Sequence, residues 1–147
     1  MTIYFDDIQI GAALPTVVNE PLTQIQFVRY SGASGDFNPI HTVEQAGIEA
    51  GNNGVIAHGM LVAGLLGRVV TNWIEPRQVR KIAVRFTAIS RAGDVITCRG
   101  QVVEKFEVAG EARVRGEIEA VDQNGQAKVK GEFIAALPRR AAGKGSS

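Results

Sequence analysis

The segment at residues 59–73 places the strongest constraint on what this chain can fold into. Read as a helix, it is apolar around nearly its whole circumference, and only Arg68 and Asn72, four positions apart, form a narrow polar edge. A helix of this kind must be covered by other structure. Gly64 and Gly67 carry no side chains and would let a sheet approach the helix backbone closely. The sequence therefore predicts a central helix with a sheet wrapped around it.

The second half of the chain supplies that sheet. Four strand-like segments follow one another, at residues 80–88, 95–108, 112–120 and 127–135. Their apolar and polar residues alternate, which is typical of strands with one buried and one wet face. Glycine-containing turns join them, the strongest being Asn124-Gly125. The predicted fold class is α+β, an antiparallel β-sheet wrapped around a long central α-helix.

Two short helices are predicted before the central one. Thr23 and Gln26 have the spacing of a capping box and open a helix that stops near Gly32. Thr42 stands in the same relation to a glutamine three residues on and opens a second helix. The stretch between the two helices, residues 35–41, contains a proline that disfavours helix at the residue before it. We therefore expect an ordered loop there.

Length and composition fit one domain that needs neither a disulfide nor a metal. A chain of 147 residues, 45% apolar and 21% charged, suits a single globular domain. We place that domain at residues 1–138, ahead of a disordered tail at residues 139–147. The net charge of +1 provides no field that would attract nucleic acid or a membrane surface. The single Cys98 has no partner for an internal disulfide, and we expect an inert thiol.

No targeting segment or membrane span is expected from the sequence. The first residues lack a basic start followed by a long apolar stretch, so no signal peptide is predicted. The most apolar segment, residues 55–74, is interrupted by His58 and Arg68 and predicts a core helix. The simplest interpretation is a cytoplasmic protein.

Asp36 and His41 are the first candidates for chemistry. They stand five positions apart in a loop that Asn38 and Pro39 stiffen. A carboxylate and an imidazole that face one small space can hold a water molecule and remove its proton. Asn38 could orient the loop or accept a hydrogen bond from a neighbour. The alternative interpretation is a structural hydrogen-bonded pair, and the spacing alone does not decide between the two.

A second candidate site begins at the start of the central helix. Gly59 falls where backbone N–H groups lack partners within the helix, at the positive end of its dipole. Without a side chain there, a ligand carbonyl could approach, so the Gly59 N–H is a candidate oxyanion donor. His58 and Met60 flank it as candidate substrate contacts, and Asn38 of the preceding loop is a third. The alternatives are a glycine that only eases packing and a histidine whose hydrogen bonds are made by the backbone.

Two sequence blocks carry a resemblance to a known family. Residues 30–41 (YSGASGDFNPIH) resemble the signature of the MaoC-like, (R)-specific enoyl-CoA hydratases. Residues 56–61 (IAHGML) are similar to the second block of that family, and residues 5–11 (FDDIQIG) to its opening. The likeness covers about residues 4–137. Within the group, the chain is similar to the catalytic subunit of mycobacterial (3R)-hydroxyacyl-ACP dehydratases.

The resemblance implies a fold, a reaction and an assembly. It implies a hot-dog fold and the syn addition of water to an enoyl thioester, giving an (R)-3-hydroxyacyl thioester, or the reverse. It assigns catalysis to Asp36 and His41 and the thioester oxygen contact to the N–H of Gly59. It further implies a homodimer or higher homo-oligomer, or a heterodimer with a related hot-dog subunit, and no cofactor beyond the CoA or acyl carrier protein that holds the substrate. Val43 departs from the acidic or small residue usual two positions after the motif histidine, and Gly67 replaces a serine found in some members.

Other functions remain as alternatives. A hot-dog thioesterase would usually carry a carboxylate on the central helix, and residues 59–74 contain none. A subunit that only shapes the channel of a partner would usually have lost the Asp36/His41 pair. No metal is expected from two histidines and one cysteine in separate segments. A basic run, Arg77, Arg80, Lys81 and Arg85, fits either a phosphate-bearing carrier or an ordinary strand edge.

Overall fold

The computed structural model describes residues 1–142 and shows one antiparallel sheet packed on a helix. The helices are α1 (Gln24–Ser34), α2 (Glu44–Glu49) and α3 (Gly59–Thr71). The strands are β1 (Val17–Val18), β2 (Val79–Phe86), β3 (Thr97–Val108), β4 (Glu111–Val121) and β5 (Ala127–Ala136). Their order across the sheet is β1-β3-β4-β5-β2, and every neighbouring pair is antiparallel. The predicted α+β architecture is confirmed.

The core lies between α3 and the inner face of the sheet. Val62, Leu66 and Val69 of α3 are buried against strand residues such as Val114 and Phe133. Each buried aliphatic or aromatic side chain of this kind contributes about 1.5–3 kcal/mol. Within residues 1–142, no helix combines the length and the apolarity that crossing a bilayer requires.

The outer face of the sheet is charged, as the alternation predicts. Ion pairs join neighbouring strands there, between Arg99 and Glu119, Arg115 and Glu104, and Lys81 and Glu132. A broad concavity of about 810 Å³ on this face is lined in part by Arg99, Arg115, Glu119 and Glu132. In the basic run, Arg77 pairs with Glu75, Arg80 with Glu111 and Lys81 with Glu132. Three of its four charges are thus matched within the chain, which favours the strand-edge interpretation.

Gly64 and Gly67 of α3 do not face the sheet, contrary to the prediction. A Cβ added at Gly64 or Gly67 would meet nothing within 4 Å. Met60, on the same side of the helix as Gly64 and Gly67, is 59% exposed. One side of α3 is therefore uncovered in the single chain, although its sequence is apolar almost all round.

The two short helices form with changed boundaries. Thr23 caps α1 as predicted, its Oγ1 accepting from the N–H of Gln26 at 3.2 Å, but α1 continues past Gly32 to Ser34. The Thr42 cap is wrong, since the N-cap of α2 is Val43. A 3-10 turn at Pro39–His41 displaces it, because the N–H groups of Thr42 and Val43 both donate to the carbonyl of Pro39.

The start of the predicted tail is held by ion pairs. Arg139 pairs with Asp6 and Glu107, and Arg140 pairs with Asp7 at 2.6 Å. The expected disorder from residue 139 onward stays a prediction. The remainder of that expectation, from residue 143 to residue 147, lies outside the described residues.

Gly47 in α2 packs directly against the backbone that leads into α3. A Cβ at Gly47 would overlap the carbonyl group of Gly54 and lie 2.9 Å from the nitrogen of Val55. Backbone atoms cannot rotate away, so we expect Gly47→Ala to lower the free energy of unfolding by about 3 kcal/mol.

Gly32 provides the matched control for that substitution. It is also helical, and a Cβ there meets nothing within 4 Å, so Gly32→Ala is expected to stabilise the fold by about 0.5–1 kcal/mol. Chemical denaturation measures the free energy of unfolding of both variants. Equal changes for Gly47→Ala and Gly32→Ala would contradict the packing described for Gly47.

Candidate active site

Asp36 stands just beyond the C-terminus of α1. The helix ends at Gly35, whose φ of 78° is a left-handed conformation that favours glycine. The chain then turns so that Asp36 Oδ1 accepts the N–H of Asn38 at 3.2 Å. The side chain of Asp36 remains 50% exposed, and its second oxygen, Oδ2, is directed toward His41. The carboxylate is therefore anchored through one oxygen and free at the other.

His41 is fixed by the 3-10 turn and by one hydrogen bond. Asn38 Oδ1 caps the turn by accepting the N–H of Ile40 at 3.2 Å, which is the loop-orienting role predicted for Asn38. The Nδ1 of His41 lies 2.8 Å from the carbonyl oxygen of Ile56. A carbonyl can only accept, so Nδ1 carries the hydrogen and Nε2 presents a bare lone pair. His41 is thereby oriented to accept a proton or a hydrogen bond through Nε2.

The two free atoms of this pair face each other across a gap. Asp36 Oδ2 and His41 Nε2 are 3.7 Å apart. That distance is too long for a direct hydrogen bond, and a water molecule can bridge groups at such a separation. The sequence prediction that the two side chains share one small space agrees with this geometry.

His58 lies beneath His41. The two rings stack with centroids 3.9 Å apart and an interplanar angle of 25°. His58 Nε2 lies 3.0 Å from Ser31 Oγ and 3.3 Å from the backbone oxygen of Asp36. Burial, followed by the neighbouring His41, lowers the pKa of His58 below its ordinary value of 6.5. His58 is therefore neutral near neutral pH.

Gly59 opens α3 beside the same pair. His58 occupies the N-cap position and makes no side-chain capping bond, so the amides of Gly59 and Met60 have no hydrogen-bond partner among the described residues, whereas that of Leu61 donates to the His58 carbonyl. A cavity of about 350 Å³ lies at this helix end. It is lined on one side by His41 and Gly59 and on the other by Phe86 and Ser90. The Gly59 amide and the His41 imidazole thus border one space.

The predicted substrate contacts divide into two groups. Gly59 borders the cavity, whereas Asn38, His58 and Met60 do not. Asn38 caps the 3-10 turn, His58 is 1% exposed and lies behind His41, and Met60 lies on the uncovered side of α3. The substrate contacts expected for these three residues stay predictions without a contact in the single chain.

Several groups that shape the site had no predicted role. Ser31 hydrogen-bonds His58, Ile56 holds His41 through its carbonyl, and the Ser90 carbonyl accepts the N–H of Ala57 at 2.8 Å. Ser31 lies inside the quoted block at residues 30–41, which was the one available signal. The other two act through backbone atoms, which a sequence does not mark.

The site brings together three groups that could ligate a metal. One ligand atom from each of Asp36, His41 and His58 falls within a cluster in which all such atoms lie within 4.8 Å of one another. The two histidines lie in separate segments of the sequence, and the fold brings them together. Their rings are stacked, however, so the nitrogen lone pairs of the two histidines lie in two nearly parallel planes, which is unfavourable for tetrahedral ligation of one ion. The geometry fits hydrogen bonding better than metal binding.

Comparison with known proteins supplies the family. The model of the MaoC-like domain matches residues 7–124, which is most of the chain. The chain belongs to the MaoC-like dehydratase family. A 3-hydroxybutyryl-CoA dehydratase of Methylorubrum extorquens is 27% identical over 140 residues, covering 94% of this chain and 86% of that protein. The family resemblance read from the two sequence blocks is confirmed.

Solved structures of this family share the fold. The R-hydratase PhaJ1 of Pseudomonas aeruginosa superposes with a TM-score of 0.81 at 23% identity, over 95% of this chain and 88% of that one. A chain of the ChsH1-ChsH2 complex of Mycobacterium tuberculosis gives a TM-score of 0.75 at 20% identity, over 88% and 98%. The five-stranded sheet around α3 is thus the hot-dog fold of MaoC-like dehydratases. As a member of this family, the chain is a hydratase/dehydratase, that is, a hydro-lyase.

Proposed function

We propose that this MaoC-like chain adds water to a trans-2-enoyl thioester to give the (R)-3-hydroxyacyl thioester, or catalyses the reverse. One observation carries the proposal. The bare Nε2 of His41 faces the free carboxylate oxygen of Asp36 at 3.7 Å, beside the uncapped amide of Gly59. A hydrating site needs this set, namely a base, a held water and a donor for the enolate oxygen.

In the hydration direction, Asp36 and His41 share the attacking water. Asp36 accepts one proton from it while His41 orients it through Nε2. The hydroxyl adds to C3 of the enoyl chain, and the electron pair of the double bond moves through C2 to the thioester oxygen. The Gly59 N–H donates to that oxygen as its charge develops. The proton held by the pair is then delivered to C2, so the product gains one water and the site returns to its starting state.

The single thiol of the chain, on Cys98, supports a mechanism without a covalent cysteine intermediate. Cys98 is fully buried in β3, and burial raises the pKa of its thiol to about 11. The thiolate, which is the nucleophilic form of cysteine, is therefore scarce at neutral pH. Water addition through Asp36 and His41 requires no such nucleophile.

We propose a CoA thioester as the first substrate to test. The relative from Methylorubrum extorquens is named for a short CoA thioester, which supports this choice over an acyl carrier protein. In the basic run, Arg85 has no ion-pair partner among the described residues, whereas the other three do. A phosphate-bearing carrier at this strand edge would therefore meet mainly Arg85. The cytoplasmic location expected from the sequence stays a prediction.

We propose that the working form is a dimer, either of this chain or with a related hot-dog subunit. The edge strand β2 exposes Ile82 by 40% and Phe86 by 53%, and one side of α3 is open at Met60. An unpaired apolar edge of this kind favours pairing with another chain. Phe86 also lines the cavity, so a partner at β2 would help to enclose it.

A hydration assay with chiral analysis tests the proposal. We expect the purified chain to consume crotonyl-CoA or a longer trans-2-enoyl-CoA, followed by loss of enoyl absorbance, and to yield the (R) product. Release of free CoA from acyl-CoA without hydration would identify a thioesterase instead. A chain that is inert alone but active with a co-expressed hot-dog partner would identify the heterodimer. An (S) product would contradict the proposed stereochemistry.

A further inference from the structure

His58 lies directly behind the candidate catalytic pair and outside the cavity. Its side chain is 1% exposed, and it does not border the space that His41 and Gly59 share. It is also the N-cap of α3, so the chain passes from His58 straight into the Gly59 amide. Whatever His58 contributes to the reaction must therefore act through its neighbours.

Two of those neighbours are the pair itself. The ring of His58 stacks on His41 with centroids 3.9 Å apart. Its Nε2 reaches the backbone oxygen of Asp36 at 3.3 Å and the hydroxyl of Ser31 at 3.0 Å. His58 thus contacts one member of the pair through its ring face and the other through the main chain. It sets the position of each relative to the other.

The acceptor at Asp36 decides which nitrogen of His58 carries the hydrogen. A carbonyl oxygen can only accept, so Nε2 is the donor. Nδ1 is then a bare lone pair, buried and without a hydrogen-bond partner among the described residues. The other tautomer would bury an unpaired N–H, and orphaned buried N–H groups are rarer than orphaned acceptors.

Protonation of His58 would be unfavourable in this setting. It would create an unpaired N–H at the buried Nδ1 and a positive charge stacked on His41. The titratable groups that face the ring are His41, Asp36 and Tyr30, whose ring centroid lies 4.7 Å away. Burial and His41 lower the pKa of His58, and their effect exceeds the opposing effect of Asp36.

We propose that His58 is a positioning residue that remains a neutral Nε2–H imidazole and holds His41 and Asp36 at the separation at which they share a water. This inference rests on the proposed function, because it assigns His58 a role in that same site. It gives His58 neither proton transfer nor substrate contact. Ser31 has an indirect role of the same kind. Among the described residues, its hydroxyl is linked to Asp36 and His41 through His58.

Nuclear magnetic resonance tests the protonation state without any assay of activity. The chain contains two histidines, so two imidazole spin systems appear in a long-range nitrogen–proton spectrum, and His41→Ala leaves the one from His58. We expect the Nε2–H signature of His58 to predominate from pH 8 down to pH 6.5, where a histidine with the ordinary pKa would be half protonated. Titration of His58 within that range, or an Nδ1–H signature, would overturn the proposal.

Kinetics tests the positioning role. We expect His58→Phe, which keeps a stacked ring but removes Nε2–H, to lower kcat about tenfold with KM changed less than about twofold, the scale of one lost hydrogen bond. Ser31→Ala is expected to lower kcat about threefold in the wild type and to have no further effect in the His58→Phe background, because both act through one contact. If the losses in kcat from His58→Phe and Ser31→Ala were additive, the two residues would not act through one contact. An unchanged kcat in His58→Phe would overturn the positioning role of His58. If His58→Phe fails to fold, His58→Leu, which likewise lacks the N–H donor, replaces it in the same cycle.

Failure of this inference is distinguishable from failure of the proposed function. A wild-type chain that hydrates no enoyl thioester refutes the proposed function, while the resonance measurement still reports on His58. An active wild type in which His58 titrates, or in which the two substitutions are additive, refutes this inference alone.

Discussion

Replacing Asp36 by asparagine, or His41 by alanine, is expected to reduce turnover of crotonyl-CoA by at least about 100-fold, the low end for loss of a general acid–base group. Asparagine retains the shape of Asp36 and the oxygen that accepts the N–H of Asn38 but cannot take a proton from water. Alanine at position 41 removes the lone pair that faces Asp36 Oδ2 at 3.7 Å. Initial rates of enoyl consumption, measured at saturating substrate, report both losses.

A substitution that removes a carboxylate outside the site distinguishes loss of catalysis from a general effect of changed charge. Glu117 is exposed on the outer face of the sheet and has no ion-pair partner within hydrogen-bond distance among the described residues, so Glu117→Gln is expected to retain wild-type rates. Circular dichroism of each variant verifies that the fold is intact. A folded Asp36→Asn or His41→Ala variant with near wild-type turnover would remove the shared-water mechanism.

The Gly59 amide is expected to supply a second effect of comparable size. Gly59→Pro removes the N–H while leaving a residue that suits the first position of a helix. His58, which precedes it, has φ −61° and ψ 132°, an extended conformation compatible with a following proline. Loss of one oxyanion donor lowers kcat by about 100- to 1,000-fold. We expect a loss of that order in enoyl hydration by Gly59→Pro.

Gly59→Ala is the matched control for the proline variant. A Cβ at this position would lie 3.0 Å from an edge atom of the Phe86 ring, and both substitutions impose that contact. Phe86 is 53% exposed, so its ring can shift at small cost. Alanine retains the N–H, and we expect its kcat to remain at least about tenfold above that of proline, on the scale of one oxyanion contact. Equal losses in both variants would point to steric disturbance and refute the amide's role.

The sheet and the central helix could be predicted because their periodicity reports burial directly. Alternation along β2 placed Ile82, Val84 and Phe86 on one face, and they lie opposite Phe133, Gly131 and Val129 on β5. The orientation of α3 could not be predicted in the same way. With apolar residues on nearly all sides, its sequence does not show which side meets the sheet, and Gly64 and Gly67 were therefore assigned to the wrong one.

The candidate site could be predicted in part. Asp36 and His41 lie in one loop, so their proximity follows from local chain geometry. The stack of His58 on His41 arises where α3 begins against the 3-10 turn, and the Ser31 contact spans 27 positions of sequence. Such contacts depend on tertiary packing and leave no local pattern. The family resemblance pointed to the blocks at residues 30–41 and 56–61, but it did not indicate that His58 lies under His41.

The course of the reaction in deuterated water tests the shared-water site most directly. In the proposed mechanism, the hydroxyl comes from the water held between Asp36 and His41, and the same pair delivers the proton to C2, so both groups add from one side of the substrate. Crotonyl-CoA hydrated in D₂O should therefore carry oxygen at C3 and deuterium at C2 on the same face, as a single diastereomer in the product spectrum. Deuterium on the opposite face, or on both faces equally, would contradict a single acid–base pair.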